Sequence, residues 1–84
     1  MNTYVAEHVL TDYTDGMLVL KAETLEDAYK MIEEICYEDE DGNIKEGFNF
    51  AKHHDRFDRL YADGIKKNLR LLKDNEIVYV WGGG

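Results

Sequence analysis

The 84-residue sequence predicts an α+β fold, in which a small single-layer sheet of three to five strands, antiparallel or mixed, packs against one or two helices. Three observations predict it: an alternating segment that leads through an Asp-Gly turn into an apolar run, a stretch with helical apolar spacing, and a late run of β-branched and aromatic residues. The expected element order is strand, strand, helix, strand, helix or turn, strand. The length suits one domain, residues 1–84.

The first element is a predicted β-hairpin over residues 3–21. Tyr4 to Leu10 alternates between its two faces, which suits a strand near the edge of the sheet. Residues 11–16 end in the turn dipeptide Asp-Gly, and Met17 to Lys21 (MLVLK) is a compact apolar strand.

The second element is an amphipathic helix that begins after Thr24. Thr24 can accept a hydrogen bond from the backbone N–H of Asp27 and so serve as the N-cap. One apolar stripe recurs at helical spacing and is expected to be buried: Leu25, Ala28, Tyr29, Ile32, Ile35 and Cys36. Because Cys36, the single cysteine, lies on this stripe, we expect a buried and inert thiol without a disulfide partner.

The middle of the chain is predicted to hold a loop, a strand and a helix. Glycines bracket a loop at residues 42–47, and residues 48–51 (FNFA) form a candidate third strand. Residues 53–72 keep helical apolar spacing. Since Gly64 follows Asp63 and can serve as a C-terminal cap, we expect that helix to end near Asp63.

The last third of the chain leaves one choice open. Residues 69–72 can continue as helix, or they can form a hairpin across residues 73–75. Glu76 to Trp81 (EIVYVW) is predicted to be a strand inside the sheet, because it is rich in β-branched and aromatic residues.

Charge is distributed unevenly, and this indicates the class of partner. Residues 1–46 carry thirteen acids and three lysines, a net charge of −10, whereas residues 47–84 carry five acids and seven bases, a net charge of +2. A negative surface repels nucleic acid and attracts basic protein grooves. We therefore expect a protein partner with a basic groove, and no direct binding of nucleic acid.

The acidic run around the end of the first predicted helix is the candidate binding site. Acids at a helix C-terminus oppose the macrodipole, so either a positive group compensates them or something positive binds there. A calcium loop does not fit: with Gly42 at the sixth position, Tyr37 would be first and Phe48 twelfth. A plain solvated face and a mimic of nucleic-acid phosphates both remain. The expected partner contacts are Glu33, Glu34, Glu38, Asp39, Glu40, Asp41 and Glu46.

No catalytic or metal-binding constellation is found in the sequence. His54 and Asp58 are one helical turn apart, but two histidines and an aspartate without a third spaced ligand match no zinc pattern. No Ser-His-Asp pairing or phosphate loop can be placed. We expect no enzyme activity, no metal and no cofactor.

A basic patch follows the second helical pattern, and it consists of Lys66, Lys67, Arg70 and Lys73. Against the acidic background, we expect solvation or internal pairing with the acidic run. Association of two copies, positive end to negative end, is a further use. The sequence leaves the oligomeric state open and is compatible with a homodimer.

The stretch LKAETLEDAYKMIEEI (residues 20–35), which follows the strand hairpin in a short acidic chain, resembles in type the small proteins that phages and mobile elements encode against host defence. These are the anti-CRISPR and antirestriction inhibitors. The resemblance covers the first half of the chain. It implies a stoichiometric inhibitor whose acidic face occupies a basic groove of a CRISPR effector or other nuclease.

The stretch LLKDNEIVYVWGGG (residues 71–84) resembles the C-terminus of ubiquitin-like sulfur carriers of the thiamine and molybdopterin type, which share the β-grasp fold. The resemblance implies an alternative function, in which Gly83 and Gly84 form the carrier site and Gly84 holds an activated carboxylate.

The first function is preferred: a non-enzymatic protein-binding module that acts as a phage or mobile-element inhibitor. No apolar run is long enough to span a membrane, and the first residues contain neither a basic n-region nor an apolar h-region. We expect no membrane association and a cytoplasmic location, the host cytoplasm if the chain is phage-encoded.

Overall fold

A β-hairpin begins the fold, as predicted. The computed structural model describes residues 1–11, 15–52 and 57–81. Strand β1 (Asn2–Glu7) pairs antiparallel with strand β2 (Met17–Ala22), and Val5 lies opposite Val19. The first strand ends at Glu7 and not at Leu10, because His8 adopts a left-handed conformation with φ 55° that a strand cannot continue. Residues 12–14 of the turn lie outside the described ranges.

Gly16 closes this hairpin through a close backbone approach. The N–H of Val9 donates a hydrogen bond of 3.1 Å to the carbonyl of Gly16. A Cβ at position 16 would lie 2.7 Å from the carbonyl oxygen of Val9. Glycine is therefore the residue that this approach allows.

Helix α1 (Leu25–Ile35) confirms the second prediction. Thr24 is its N-cap, and its hydroxyl accepts a 3.2 Å hydrogen bond from the N–H of Asp27. Ala28 and Ile32 are buried, as is Cys36 just after the helix, and the Cys36 thiol is free. Tyr29 and Ile35 are half-buried against this core, but the expected burial of Leu25 is wrong: at the first position of α1, its side chain is 40% exposed.

Helix α2 (Arg59–Asn68) is longer than predicted. It begins at its N-cap Asp58, whose side chain accepts a 3.0 Å hydrogen bond from the N–H of Tyr61. The expected end near Asp63 is wrong, because the helix continues through Gly64 to Asn68. Ala62 and Ile65 are both fully buried. Burial on both sides of Gly64 outweighs the cost of about 1 kcal/mol that a glycine imposes on a helix interior.

Strand β3 (Leu69–Leu71) follows α2 directly, so residues 69–71 neither continue the helix nor form a hairpin across residues 73–75, the two alternatives left open. It pairs antiparallel with β1, so the sheet has the order β2-β1-β3. The expectation that the first strand lies near an edge is wrong, because β1 is central. Val5, on the face away from the core cluster, is still only 1% exposed, with Val19 on one neighbouring strand and Arg70 on the other.

The core lies between the sheet and the two helices. Tyr4 and Ala6 of β1 form one cluster with the buried residues of both helices, which include Ile32 and Ile65. The predicted α+β fold is confirmed: a three-stranded antiparallel sheet packs against two helices.

Residues 48–51 form a turn and not the predicted third strand. The side-chain oxygen of Asn49 accepts a 3.0 Å hydrogen bond from the N–H of Ala51, and its carbonyl accepts one of 3.1 Å from Lys52. Asparagine competes for backbone groups in this way, and the aromatic spacing that suggested a strand serves a different contact, described below.

The segment Glu76–Trp81 alternates half-buried and exposed side chains, as an extended chain does, but it belongs to no sheet in the part of the chain that the structure describes, so the prediction of a paired strand is wrong. Across the described ranges, the backbone groups of residues 77–81 make no hydrogen bond. Strand β3 has only three residues, so it offers few backbone N–H and carbonyl groups with which a further strand could pair. Glu76 is also held at the preceding turn, where its carboxylate accepts hydrogen bonds of 3.0 Å from Arg70 and from the N–H of Lys73.

Candidate protein-binding site: the acidic hairpin

The acidic run folds into a short ordered hairpin, residues 37–45, called the acidic hairpin below. Its two sides are joined by a 2.9 Å hydrogen bond from the N–H of Lys45 to the carbonyl of Tyr37 and by a β-bridge between Glu38 and Ile44. A third link runs 2.8 Å from the N–H of Asp39 to the carbonyl of Asn43. The loop is therefore held by backbone contacts on both sides.

Asp39 closes the tip of the acidic hairpin. One oxygen of its carboxylate accepts hydrogen bonds of 2.9 Å from the N–H groups of Asp41 and Asn43. Its carbonyl accepts a 3.1 Å bond from Gly42, which has φ 83°. This is the Asx-type turn that aspartate favours, and glycine supplies the left-handed residue that the turn needs.

Cations from outside α1 compensate its acidic C-terminus, which is one of the two outcomes that the macrodipole argument allows. The last turn of α1 contains no basic residue. Three cations converge on Glu33, and with it they form the Glu33 cluster: Glu33, Lys45, Arg59 and Lys66. Lys66 Nζ lies 2.9 Å from Glu33 Oε2, and Lys45 Nζ donates to the Glu33 carbonyl.

Arg59 makes the most contacts in the Glu33 cluster. Its Nη2 lies 2.5 and 2.6 Å from the two carboxylate oxygens of Glu33, and 2.9 Å from the carbonyl of Glu38. The same nitrogen lies 3.3 Å from the sulfur of Cys36. Only 14% of the Arg59 side chain is exposed. The first residue of α2 thus fixes both the end of α1 and the start of the acidic hairpin.

The charge state of Glu33 follows from these contacts. Partial burial favours the neutral acid, but the hydrogen bond and charge of Lys66, joined by the charges of the other two cations, outweigh it. The pKa of Glu33 is therefore lowered from its ordinary value. Glu33 is ionised at neutral pH and is engaged within the protein.

The other predicted contact residues divide by exposure. Glu34, Glu40, Asp41 and Glu46 are exposed, whereas Glu38 and Asp39 are half-buried. Asp39 is used at the hairpin tip. The carboxylates that remain available at the surface, called the surface acids below, are Glu34, Glu38, Glu40, Asp41 and Glu46.

An aromatic cluster lies beside the acidic hairpin, and sequence reasoning missed it. The ring of Tyr37 lies 6.2 Å from that of Phe48 and 6.1 Å from that of Phe50, while Phe48 and Phe50 are 4.9 Å apart between centroids. Such tilted and edge-on pairs are favourable. Burial, together with the adjacent Glu38 carboxylate, raises the pKa of Tyr37. Phe50 lies at the solvent-exposed border of this cluster, and its side chain is 48% exposed.

The structure describes only some of the remaining predicted site residues. Asp58 is the N-cap of α2, while its proposed partner His54, with His53, lies outside the described residues. Within the ranges described, no group of three or more His, Cys, Asp or Glu residues could hold a metal ion. In those same ranges no helix is long and apolar enough to cross a bilayer. Gly83 and Gly84 also lie outside them, so the carrier site stays a prediction.

The predicted internal pairing of the basic patch is confirmed for Lys66, which bonds Glu33. Arg70 instead bridges Glu7 and Glu76, at 2.8 and 3.0 Å. The hydrogen bond from Arg70 and the bond from the Lys73 N–H lower the pKa of Glu76. Comparison of the chain with protein-family models, with curated proteins and with solved structures finds no match.

Proposed function

We propose that this chain is a non-enzymatic protein-binding module whose acidic hairpin occupies a basic, nucleic-acid-binding groove of a partner protein. The partner class proposed is the nuclease or CRISPR effector of a host defence system, and the chain acts as its phage or mobile-element inhibitor. The surface acids are the contacts. Glu33 and Asp39 do not contact the partner; their internal hydrogen bonds hold the acidic hairpin in place.

One observation carries the proposal: the acidic run is an ordered hairpin. Hydrogen bonds of the backbone at Tyr37 and Asp39 join its two sides, and the Arg59 side chain donates to the carbonyl of Glu38. Acidic residues that only keep the surface soluble must be exposed, but they do not need the hydrogen bonds that order this loop. Because the loop is already ordered, little conformational entropy is lost when it enters a groove.

The distribution of cations supports the same conclusion. The three cations of the Glu33 cluster are directed at Glu33, and among the residues described none of them forms an ion pair with a surface acid. The surface acids therefore remain available to a partner. A lysine- and arginine-lined groove that binds phosphates would gain from these carboxylates the attraction that it gains from nucleic acid. Phe50 at the border adds an aromatic contact of the kind that is enriched at interfaces.

The experiment is affinity capture from host lysate with the wild-type chain and two variants of it. The test variant carries Glu38→Gln, Glu40→Gln and Asp41→Asn. The control carries Glu23→Gln, Glu26→Gln and Asp74→Asn, which remove the same charge from exposed positions elsewhere. Bound proteins are identified by mass spectrometry, and their nucleic-acid binding is measured with and without the chain.

We expect the wild type and the control to retain a nucleic-acid-binding protein that the test variant loses. Retention should fall as salt rises from about 0.1 to about 1 M, because the Debye length falls from about 10 to about 3 Å. The chain should compete with nucleic acid for that protein. Equal capture by the test variant and the control, or capture without competition, would contradict the proposal.

A further inference from the structure

A stripe of exposed apolar side chains runs along one face of the extended segment Glu76–Trp81. Ile77, Tyr79 and Trp81, called the apolar stripe below, are 87%, 72% and 81% exposed. Val78 and Val80, between them, are half-buried and face the protein. This is period-2 alternation with the larger side chains outward, the reverse of what an isolated soluble chain favours.

The segment is held in place although it has joined no sheet. Its first residue, Glu76, is bound by Arg70 and by the backbone of Lys73. Beyond it, the described backbone groups of residues 77–81 have no hydrogen-bond partner. An anchored, extended segment with a free backbone and an apolar face has the properties of an interface element.

Charge favours this segment over the acidic part of the surface as the place where two copies meet. A protein of net charge −8 repels copies of itself, and the repulsion is strongest where exposed acids meet. The apolar stripe carries no charge, and its one charged neighbour in the segment, Glu76, is paired with Arg70. No residue of the acidic hairpin belongs to the contact.

The area of the stripe is sufficient for a modest dimer. An aromatic side chain buries roughly 150–250 Å² when fully covered. Tyr79, Trp81 and Ile77 at their observed exposure therefore present about 450 Å² per copy, or about 900 Å² for two copies. This total lies at the low end of protein–protein interfaces, below about 1,200 Å², which suits a weak dimer with a dissociation constant in the micromolar range.

We propose that this protein forms a two-fold symmetric homodimer, in which the apolar stripe of each copy packs antiparallel against the stripe of the other. The contact is isologous, because the same segment serves both copies. It leaves the acidic hairpin of each copy free, so dimerisation does not depend on the function proposed above.

The test is sedimentation equilibrium of the full chain from about 1 μM to about 1 mM, the range that brackets a micromolar dimer. The mass should rise from 9.8 kDa towards twice that value. The test variant is Tyr79→Lys with Trp81→Lys. The control is Met31→Lys with Leu60→Lys, two exposed apolar residues outside both the stripe and the acidic hairpin that receive the same added charge. Circular dichroism and urea titration establish that each variant is folded.

The test variant should raise the dissociation constant at least about tenfold, and the control should change it by less than about threefold. Both variants lower the net negative charge by the same amount, so a change in the overall repulsion between copies affects them equally, and a loss confined to the test variant locates the contact at the apolar stripe. Higher salt should tighten the dimer by screening the net charge, whereas it weakens capture through the acidic hairpin. A monomeric wild type at all concentrations, or equal effects of the two variants, would overturn the proposal.

Discussion

Removal of Arg59 is the sharpest test of how this fold is held together. In Arg59→Met the long apolar stem is kept, while the guanidinium that joins Glu33, Cys36 and the carbonyl of Glu38 is lost. The change replaces none of the surface acids and removes no contact to their carboxylates; its one contact with them is to the backbone carbonyl of Glu38. It tests whether the contacts of one side chain stabilise the junction between α1, α2 and the acidic hairpin.

The expected loss in the free energy of unfolding depends on how deeply the Arg59–Glu33 pair is buried and on which contacts Glu33 keeps. Loss of one partner from a fully buried pair costs about 3–5 kcal/mol, because the other charge stays desolvated. Glu33 is 28% exposed and keeps Lys66 at 2.9 Å, so the penalty is smaller. The lost charge-assisted bonds contribute about 1.5–3 kcal/mol. We therefore expect the free energy of unfolding to fall by about 2–3 kcal/mol.

Urea titration followed by circular dichroism measures this loss. For a domain of this size, 2–3 kcal/mol corresponds to a decrease in Tm of roughly 10–20 °C. Arg70→Met is the matched control: Arg70 also bridges two carboxylates, but 41% of its side chain is exposed, so its loss should be clearly smaller. A loss below about 0.5 kcal/mol for Arg59→Met would show that the Glu33 cluster acts as an ordinary surface ion pair, and would refute the reasoning.

Further predictions concern pH and backbone geometry. Because the pKa of Glu33 is lowered on folding, the contribution of Glu33 to stability is present above the unfolded value near 4.5 and is lost as pH falls through the folded value. The stability difference between the wild type and Glu33→Gln, measured by urea titration, should therefore shrink between about pH 6 and about pH 3. A difference that stays constant over this range would contradict the assignment. Gly64→Ala should raise the free energy of unfolding by about 0.5–1 kcal/mol, since an added methyl group meets no atom within 4 Å inside α2. Gly16→Ala should lower it by about 1–3 kcal/mol through the 2.7 Å contact with the carbonyl of Val9. Effects of the same sign at the two glycines would show that neither local geometry governs the result.

The elements predicted best are those whose signals are local. The hairpin depended on alternation and an Asp-Gly turn, and α1 depended on helical spacing with Thr24 as its cap. Where two local signals disagreed, the prediction was wrong. At Gly64 the glycine indicated a helix end, while the spacing of Ala62 and Ile65 indicated continuation, and burial of those two side chains decided.

The sequence identified the acidic residues of the candidate site, but it did not show that they form a hairpin or which cations surround Glu33. The acidic run and its need for a compensating charge could be read from the order of residues. The cations that supply it come from three places in the chain, and the predicted end at Asp63 had excluded Lys66 from α2. Arg59 and Lys66 lie seven residues apart, so a helix extended to Asn68 would have placed both on one face.

By itself, the order of amino acids determined the fold class, the hairpin, the capped amphipathic helix, the buried Cys36 and the separation of charge between the two halves. These follow from periodicity and composition, which act over a few residues. Only the tertiary structure decided that β1 is central, that Arg59 and Lys66 neutralise Glu33, and that residues 77–81 remain outside the sheet. Each of these depends on which distant segments compete for the same strand edge or the same carboxylate, and that competition is settled by packing of the whole chain.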